Sequence, residues 1–267
     1  MKRSLFVAAA VLVALAACKS SFGDIPTSVP LGVITVSMQD APAGVHSTSP
    51  AAYFVDAVNV SIPNSATSAD TCAQLDFPGL VNTAPLSQID AGTPVTVATE
   101  TDTALITPQP ADANGYIFYR LPANDSIQIR PGSTSRLIIP GTSNGFNAFN
   151  STFINADSLK IQPIDATPDS TGDLTITWNR QVGPTASVVL QLEFASSGSG
   201  LADSQIFCQF TDNGTHAVEA RLANLWRAGG AKHVHAYRFL TSISNDGTDQ
   251  LDIVSQYSTD STTVLHP

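Results

Sequence analysis

Charge is scarce in this 267-residue chain: Asp, Glu, Lys and Arg together make up 13%, and basic residues number only 12 against 22 acidic ones. A nucleic-acid partner is therefore not expected, because binding a phosphate backbone rests on Lys and Arg neutralising it. Cysteine is rare as well, with three in all, and Cys72 and Cys208 lie too far apart to carry zinc-finger spacing. Motifs for familiar chemistry are missing. The chain has no GxSxG elbow, no SxxK and no Cys–His signature, and its GTSNGF stretch lacks both the Walker lysine and the dinucleotide spacing. No cofactor is expected. Carboxylates suited to glycoside chemistry can always be found among 22 acidic residues, so their presence alone carries no argument.

Long apolar runs are also missing, apart from the 13 residues from Leu5 to Ala17 behind Lys2 and Arg3. That run falls short of the ~20 residues a membrane-spanning helix needs, but it suits the core of a signal peptide. It ends in Leu15-Ala16-Ala17-Cys18. This tetrapeptide resembles the bacterial lipobox, in which small residues admit the chain to a peptidase and the cysteine thiol becomes a thioether to diacylglycerol. The resemblance covers residues 2 to 18 and implies cleavage before Cys18, lipid on Cys18 and a membrane partner through that lipid. Two or more acyl chains hold a protein stably where one does not. Lys19, rather than Asp, follows the cysteine. In the family this implies sorting to the outer membrane. An ordinary signal peptide cut after an Ala-x-Ala-like site is the alternative.

Loss of the signal would leave 10 basic against 22 acidic residues, a formal charge near −12. The polar role falls to Ser, Thr, Asn and Gly, which favours strands and turns over surface helices. Residues 19 to 30 read as a tether, and beyond them short apolar stretches recur between Gly, Pro, Asn and Asp, including LGVITVSM, TPVTVAT, SRLIIP, DLTITW, ASVVLQLEF, SQIFCQF, HVHAYRF and LDIVSQY. Alternation is clear in several. Leu174, Ile176 and Trp178 share one face, and Leu190, Leu192 and Phe194 oppose Val189, Gln191 and Glu193. A period of two is that of a half-buried strand.

The expected fold is therefore all-β, an antiparallel β-sandwich with one short helix near 220–226, where Leu222, Leu225 and Trp226 share a face. A polar stretch at 140–153 separates residues 31–150 from 151–267, either as two tandem sandwich-like domains or as halves of one. The segment CQFTDNGTHAVE reads as a hairpin around Asp212-Asn213-Gly214. The order DLTITW, VVLQLEF, IFCQFTDNGTHAV, LANLW and HAYRF resembles a module of secreted proteins and lipoproteins from several bacterial phyla, in which a Trp-ended strand precedes a cysteine strand with an Asp-x-Gly turn. That resemblance implies a sandwich-like fold and no particular activity.

Several residues are candidates for a site. His233 and His235 stand at i, i+2 on one strand face and could offer a metal two imidazoles, with His216 as a third ligand. They could equally be solvent-facing residues beside Val234, Ala236 and the stem of Arg238. Asn245, Asp246, Asp249 and Asp252 could ligate calcium, as could Asp165, Asp169 and Asp173, although neither group has the EF-hand register and such residues also cap turns. Trp178 and Trp226 read as core residues. Cys72 and Cys208 could form a disulfide outside the cytoplasm; alternatively Cys208 is a small buried hydrophobe and Cys72 is unpaired. The function expected from these readings is a non-catalytic, lipid-anchored envelope protein, structural, adhesive or ligand-binding, whose partner could be an envelope protein or a glycan. A periplasmic or surface hydrolase acting on glycan or peptide is the alternative.

Overall fold

The computed structural model describes residues 30–39, 46–56, 70–76, 87–111, 117–122, 125–165, 171–196, 202–261 and 264–265. The tether and Cys18 lie outside them. In chain order the elements begin with β1 (Pro30–Gln39), β2 (His46–Thr48), β3 (Ala51–Asp56), β4 (Thr71–Asp76), β5 (Val95–Ala98) and β6 (Thr103–Pro108). Next come β7 (Tyr119–Arg120), β8 (Ile127–Ile129), β9 (Thr134–Ile139), β10 (Phe149–Ile154), β11 (Ile164–Asp165) and β12 (Leu174–Thr177). The last are β13 (Ser187–Ala195), β14 (Ser204–Thr211), β15 (Thr215–Val218), helix α1 (Ala220–Ala228), β16 (Gly230–Asn245), β17 (Gln250–Ser261) and β18 (Val264–Leu265).

The protein is all-β, as its alternation predicts. Twelve strands form one sheet in the order β10-β9-β5-β6-β7-β3-β1-β17-β16-β13-β14-β4. Pairing departs from the antiparallel expectation at the centre, where β1 runs parallel to β17 from Leu31↔Gln250 to Gln39↔Ser258. The boundary expected at 150/151 falls inside β10, and the central β1–β17 pair joins strands of both halves. The sheet rolls so far that β10, at one end of the order, comes beside β16: Ser151 Oγ and Ser244 Oγ are 3.2 Å apart. The inner face of the roll and the residues beneath α1 form one apolar cluster, which includes Val36, Phe54, Ile106, Leu137, Ile253 and Trp226.

Close packing fixes particular residues. Gly32 on β1 lies beneath two aromatic rings, and a Cβ there would come within 2.9 Å of Phe54 and 2.8 Å of Phe146. Those rings continue the cluster, with centroids 4.9 Å apart and Phe54 edge-on to Tyr119 at 5.2 Å. Helix α1 buries Leu222, Ala223 and Trp226, and Trp226 meets Phe194 of β13 edge-on. Asp173 Oδ1 accepts the amide of Ala220 at 2.9 Å, satisfying a donor of the helix start that has no partner within the helix.

Two local expectations change, and one open alternative is decided. The polar separator expected at 140–153 ends in a strand: Phe149–Ile154 form β10, at one edge of the sheet. The stretch around Cys72 is β4, which carries a strand of the first half to the far edge of the sheet beside β14. There Cys72 lies opposite Cys208, and the two form a disulfide. Finally, Asp212-Asn213-Gly214 does not close a hairpin. Its turn leads the chain from β14 to β15, which pairs with β12 in a separate layer over the sheet, while Gly214 supplies the left-handed φ of +93°.

Candidate functional site

A fully buried cation on β16 meets a buried carboxylate beneath the segments that follow β10, β12 and β14. Alternation along β16 turns Val234, Ala236 and Arg238 to the core, so Arg238 is fully buried. Its Nε lies 2.8 Å from Asp212 Oδ2. Its other nitrogens donate to main-chain carbonyls: one to Ser158 at 2.5 Å, one to Asn179. The turn after β14 aims Asp212 inward, where Oδ1 accepts Trp178 Nε1 at 2.7 Å and Oδ2 accepts the amide of Gln181 at 3.1 Å. Trp178 in turn stacks on Phe210, with ring planes 12° apart. Both charges are thus paired and multiply hydrogen-bonded, as burial requires. The cluster braces two layers. The Trp-ended strand, the Asp-x-Gly turn and the HAYRF strand singled out in the sequence contribute one residue each.

The candidate metal ligands are not brought together. His216 on β15 packs against Phe210 on the core side of the sheet, with ring centroids 4.1 Å apart. His233 and His235 alternate with the core residues Val234 and Ala236 and so lie on the opposite face. There His235 Nε2 is 3.5 Å from Glu193, which stands opposite His233 across the β13–β16 ladder. Among the described residues, no three His, Cys, Asp or Glu side chains converge to hold a metal.

The calcium candidates separate likewise. Asp246 and Asp249 belong to the turn between β16 and β17, where Asp246 Oδ1 accepts the amides of Thr248 and Asp249 at 2.9 and 2.7 Å. Asn147 spans the two: its amide donates to Asp249 and its Nδ2 to Asp246, at 2.6 and 2.8 Å. These donors engage both Asp246 oxygens and one of Asp249, and pin the turn to the chain before β10. They also hold the Asp246 carboxyl down at about 2, chiefly through the Asp249 amide. Asp173 serves α1, Asp165 is exposed on β11, and Asp169 lies outside the described residues.

Asp252 sits apart on β17, on the outer face of the sheet, with Oδ1 accepting Gln250 Nε2 at 2.9 Å. Only 3% of it is exposed, and this burial pushes its carboxyl up. Tyr53 and Asp252 are both register partners of Val33. Burial, and then the Asp252 charge, push the Tyr53 hydroxyl up to about 12. A raised carboxyl means that the fold binds the proton more tightly than the unfolded chain, so ionised Asp252 costs stability at neutral pH. That cost fades as pH falls through the folded value toward the ordinary ~3.9. Asp252→Asn is therefore expected to stabilise the protein at pH 7 by about 1 kcal/mol. The gain over the parent should shrink steadily on acidification in thermal unfolding between pH 7 and pH 4. A variant no more stable than the parent at pH 7 would show that Asp252 is better solvated than its burial indicates.

One cleft, of about 420 Å³, lies where the rolled sheet approaches itself, between β10 and the upper part of β16. Hydroxyls of Thr134, Thr152, Thr185, Thr241 and Ser242 line it, with Leu240 and Pro184 supplying apolar wall. None of its nine lining residues is charged or carries an acid or base. The cleft can bind by hydrogen bonding and shape but offers no group for proton transfer. Sequence reasoning missed it, because it depends on which strand ends the ladder. No protein-family model matches the chain, and comparison with the curated proteins gave no significant match.

Proposed function

We propose that the chain is a non-catalytic module of the bacterial cell envelope, held on a membrane by lipid on Cys18 and displaying a β domain that holds or adheres to a partner. The lipobox-like tetrapeptide Leu15-Ala16-Ala17-Cys18, behind Lys2, Arg3 and a 13-residue apolar run, carries this reading. Lys19 favours the outer membrane. The described site agrees with holding rather than turnover: Asp212 and Arg238 neutralise each other, Asp246 and Asp249 bind Asn147, and the cleft is uncharged.

Cys18→Ala is expected to leave the chain uncleaved or release it from the membrane fraction, and to remove the lipid mass from the intact protein. Full membrane retention with no lipid mass on the parent chain would reject the anchor. Hydrolase profiling bears on the second half of the reading. Turnover of a glycan or peptide that disappears on changing His216, His233 or His235 would establish the hydrolase instead.

A further inference from the structure

The ladder along β16 is incomplete. Strand β13 accompanies it only as far as Ser187↔Phe239, whereas β17 continues to Gln250↔Asn245. Residues 240–245 therefore have a strand partner on one side only. Strand β10 pairs with β9 alone and ends the twelve-strand order. Because the sheet is rolled, these two half-paired edges face each other. Ser151 and Ser244 touch at one end, and Thr152 to Ile154 and Leu240 to Ser242 stand apart across the cleft. Among the described residues, no main-chain hydrogen bond joins either row to another segment across that opening.

We propose that this seam is a docking site for an extended segment of another polypeptide, with small uncharged side chains, which adds as a strand between β10 and β16. An edge strand in a natural protein is commonly guarded by Lys, Pro or an inward charge. The β10 sequence FNSTFI has none of these. Of the four large apolar side chains left exposed among the described residues, two belong to segments flanking the cleft: Val182, at 90%, two residues before Pro184, and Ile243, at 45%, next to Ser242. Two opposed rows of amide and carbonyl groups ask for the same groups at strand spacing, which a peptide presents on both its edges. A glycan would want an exposed aromatic platform, and the one aromatic ring in the lining, Phe153, is buried. Residue numbers run oppositely along β10 and β16 across the cleft, so the incoming strand is parallel to one and antiparallel to the other. The uncharged lining selects against charged segments.

This proposal rests on the display function above and names its partner class. Its test uses the full chain in detergent. Uncharged heptapeptides are selected against it from a displayed library, and the strongest is synthesised in two forms, one with alternate backbone amides N-methylated. The ordinary peptide is expected to slow amide exchange at least tenfold within 152–154 and 240–242, the residues that stand apart across the cleft, and the methylated form to bind at least tenfold more weakly. Thr185→Trp, at an exposed position on the cleft wall, should weaken the ordinary peptide by a similar factor while leaving the unfolding midpoint unchanged. Four results would each overturn the proposal: no binder in the library, protection elsewhere on the protein, indifference to N-methylation, or protection of the same amides by soluble peptidoglycan fragments in place of peptide. The Cys18→Ala chain should bind the peptide as the parent does, so a failed anchor and a failed seam are distinguishable.

Discussion

Replacing Arg238 by Met should lower stability by about 3–5 kcal/mol, since it strands a buried carboxylate. Asp212 is 6% exposed, and without the guanidinium its charge keeps only Trp178 Nε1 and the Gln181 amide as partners. The carbonyls of Ser158 and Asn179 lose a donor at the same time. Arg238→Met combined with Asp212→Asn should recover part of the loss, because the amide removes the unpaired charge and keeps an acceptor for the indole. Urea unfolding of the parent, both single variants and the double variant gives the coupling between the two residues. A cost below about 1 kcal/mol for Arg238→Met is the range of a solvent-exposed pair and would contradict a sealed brace.

Removing the Cys72–Cys208 bond is expected to cost about 4–5 kcal/mol in the chain-entropy account, because the loop it closes is long. The cysteines are 136 positions apart. Cys72→Ala with Cys208→Ala, or the reduced parent, should unfold at lower urea than the oxidised protein. Local consequences should come first. Edge strand β4 is otherwise held by its ladder on β14 and by Asp70, which accepts Thr211 N at 2.7 Å and Thr211 Oγ1 at 3.1 Å. Amide exchange within 71–76 should therefore rise before exchange in β13 or β16. A free-thiol count of two in the unreduced, denatured monomer would exclude the bond outright.

Legibility varied with the range of the interaction. Alternation in DLTITW and VVLQLEF placed Leu174, Ile176, Leu190 and Leu192 in the core, where each is at most 1% exposed. The helix near 220–226 is found at Ala220–Ala228, for the same local reason. Pairing between distant segments left no such trace. β4 is short and polar, and only its seat beside β14 makes it a strand. Arg238 reads as a surface cation with an aliphatic stem until the carbonyls of Asp157, Ser158 and Asn179 and the turn after β14 close around it. Asp212 reads as a turn residue, and it is one, but its carboxylate faces inward because the same turn changes layers. The Asp246 cluster misled in the opposite direction. Its composition suits a cation, yet both Asp246 oxygens are taken up by backbone amides and by Asn147, 99 residues away.

The parallel β1–β17 pair constrains the birth of the molecule. Ser258 Oγ donates to the carbonyl of Met38 across 220 residues of sequence, so the middle of the sheet is knitted from the first and last parts of the described chain. A chain delivered from its N-terminus presents β1 with one edge bare until more than 200 further residues have followed. Folding cannot proceed stepwise behind the point of emergence, and contacts this distant are made slowly. During that interval the partial chain would expose the unpaired edge of an apolar strand to its neighbours, so a holding chaperone would matter most before β17 arrives. Losing the last twenty residues would then remove the seam along which both halves join, rather than trim a margin.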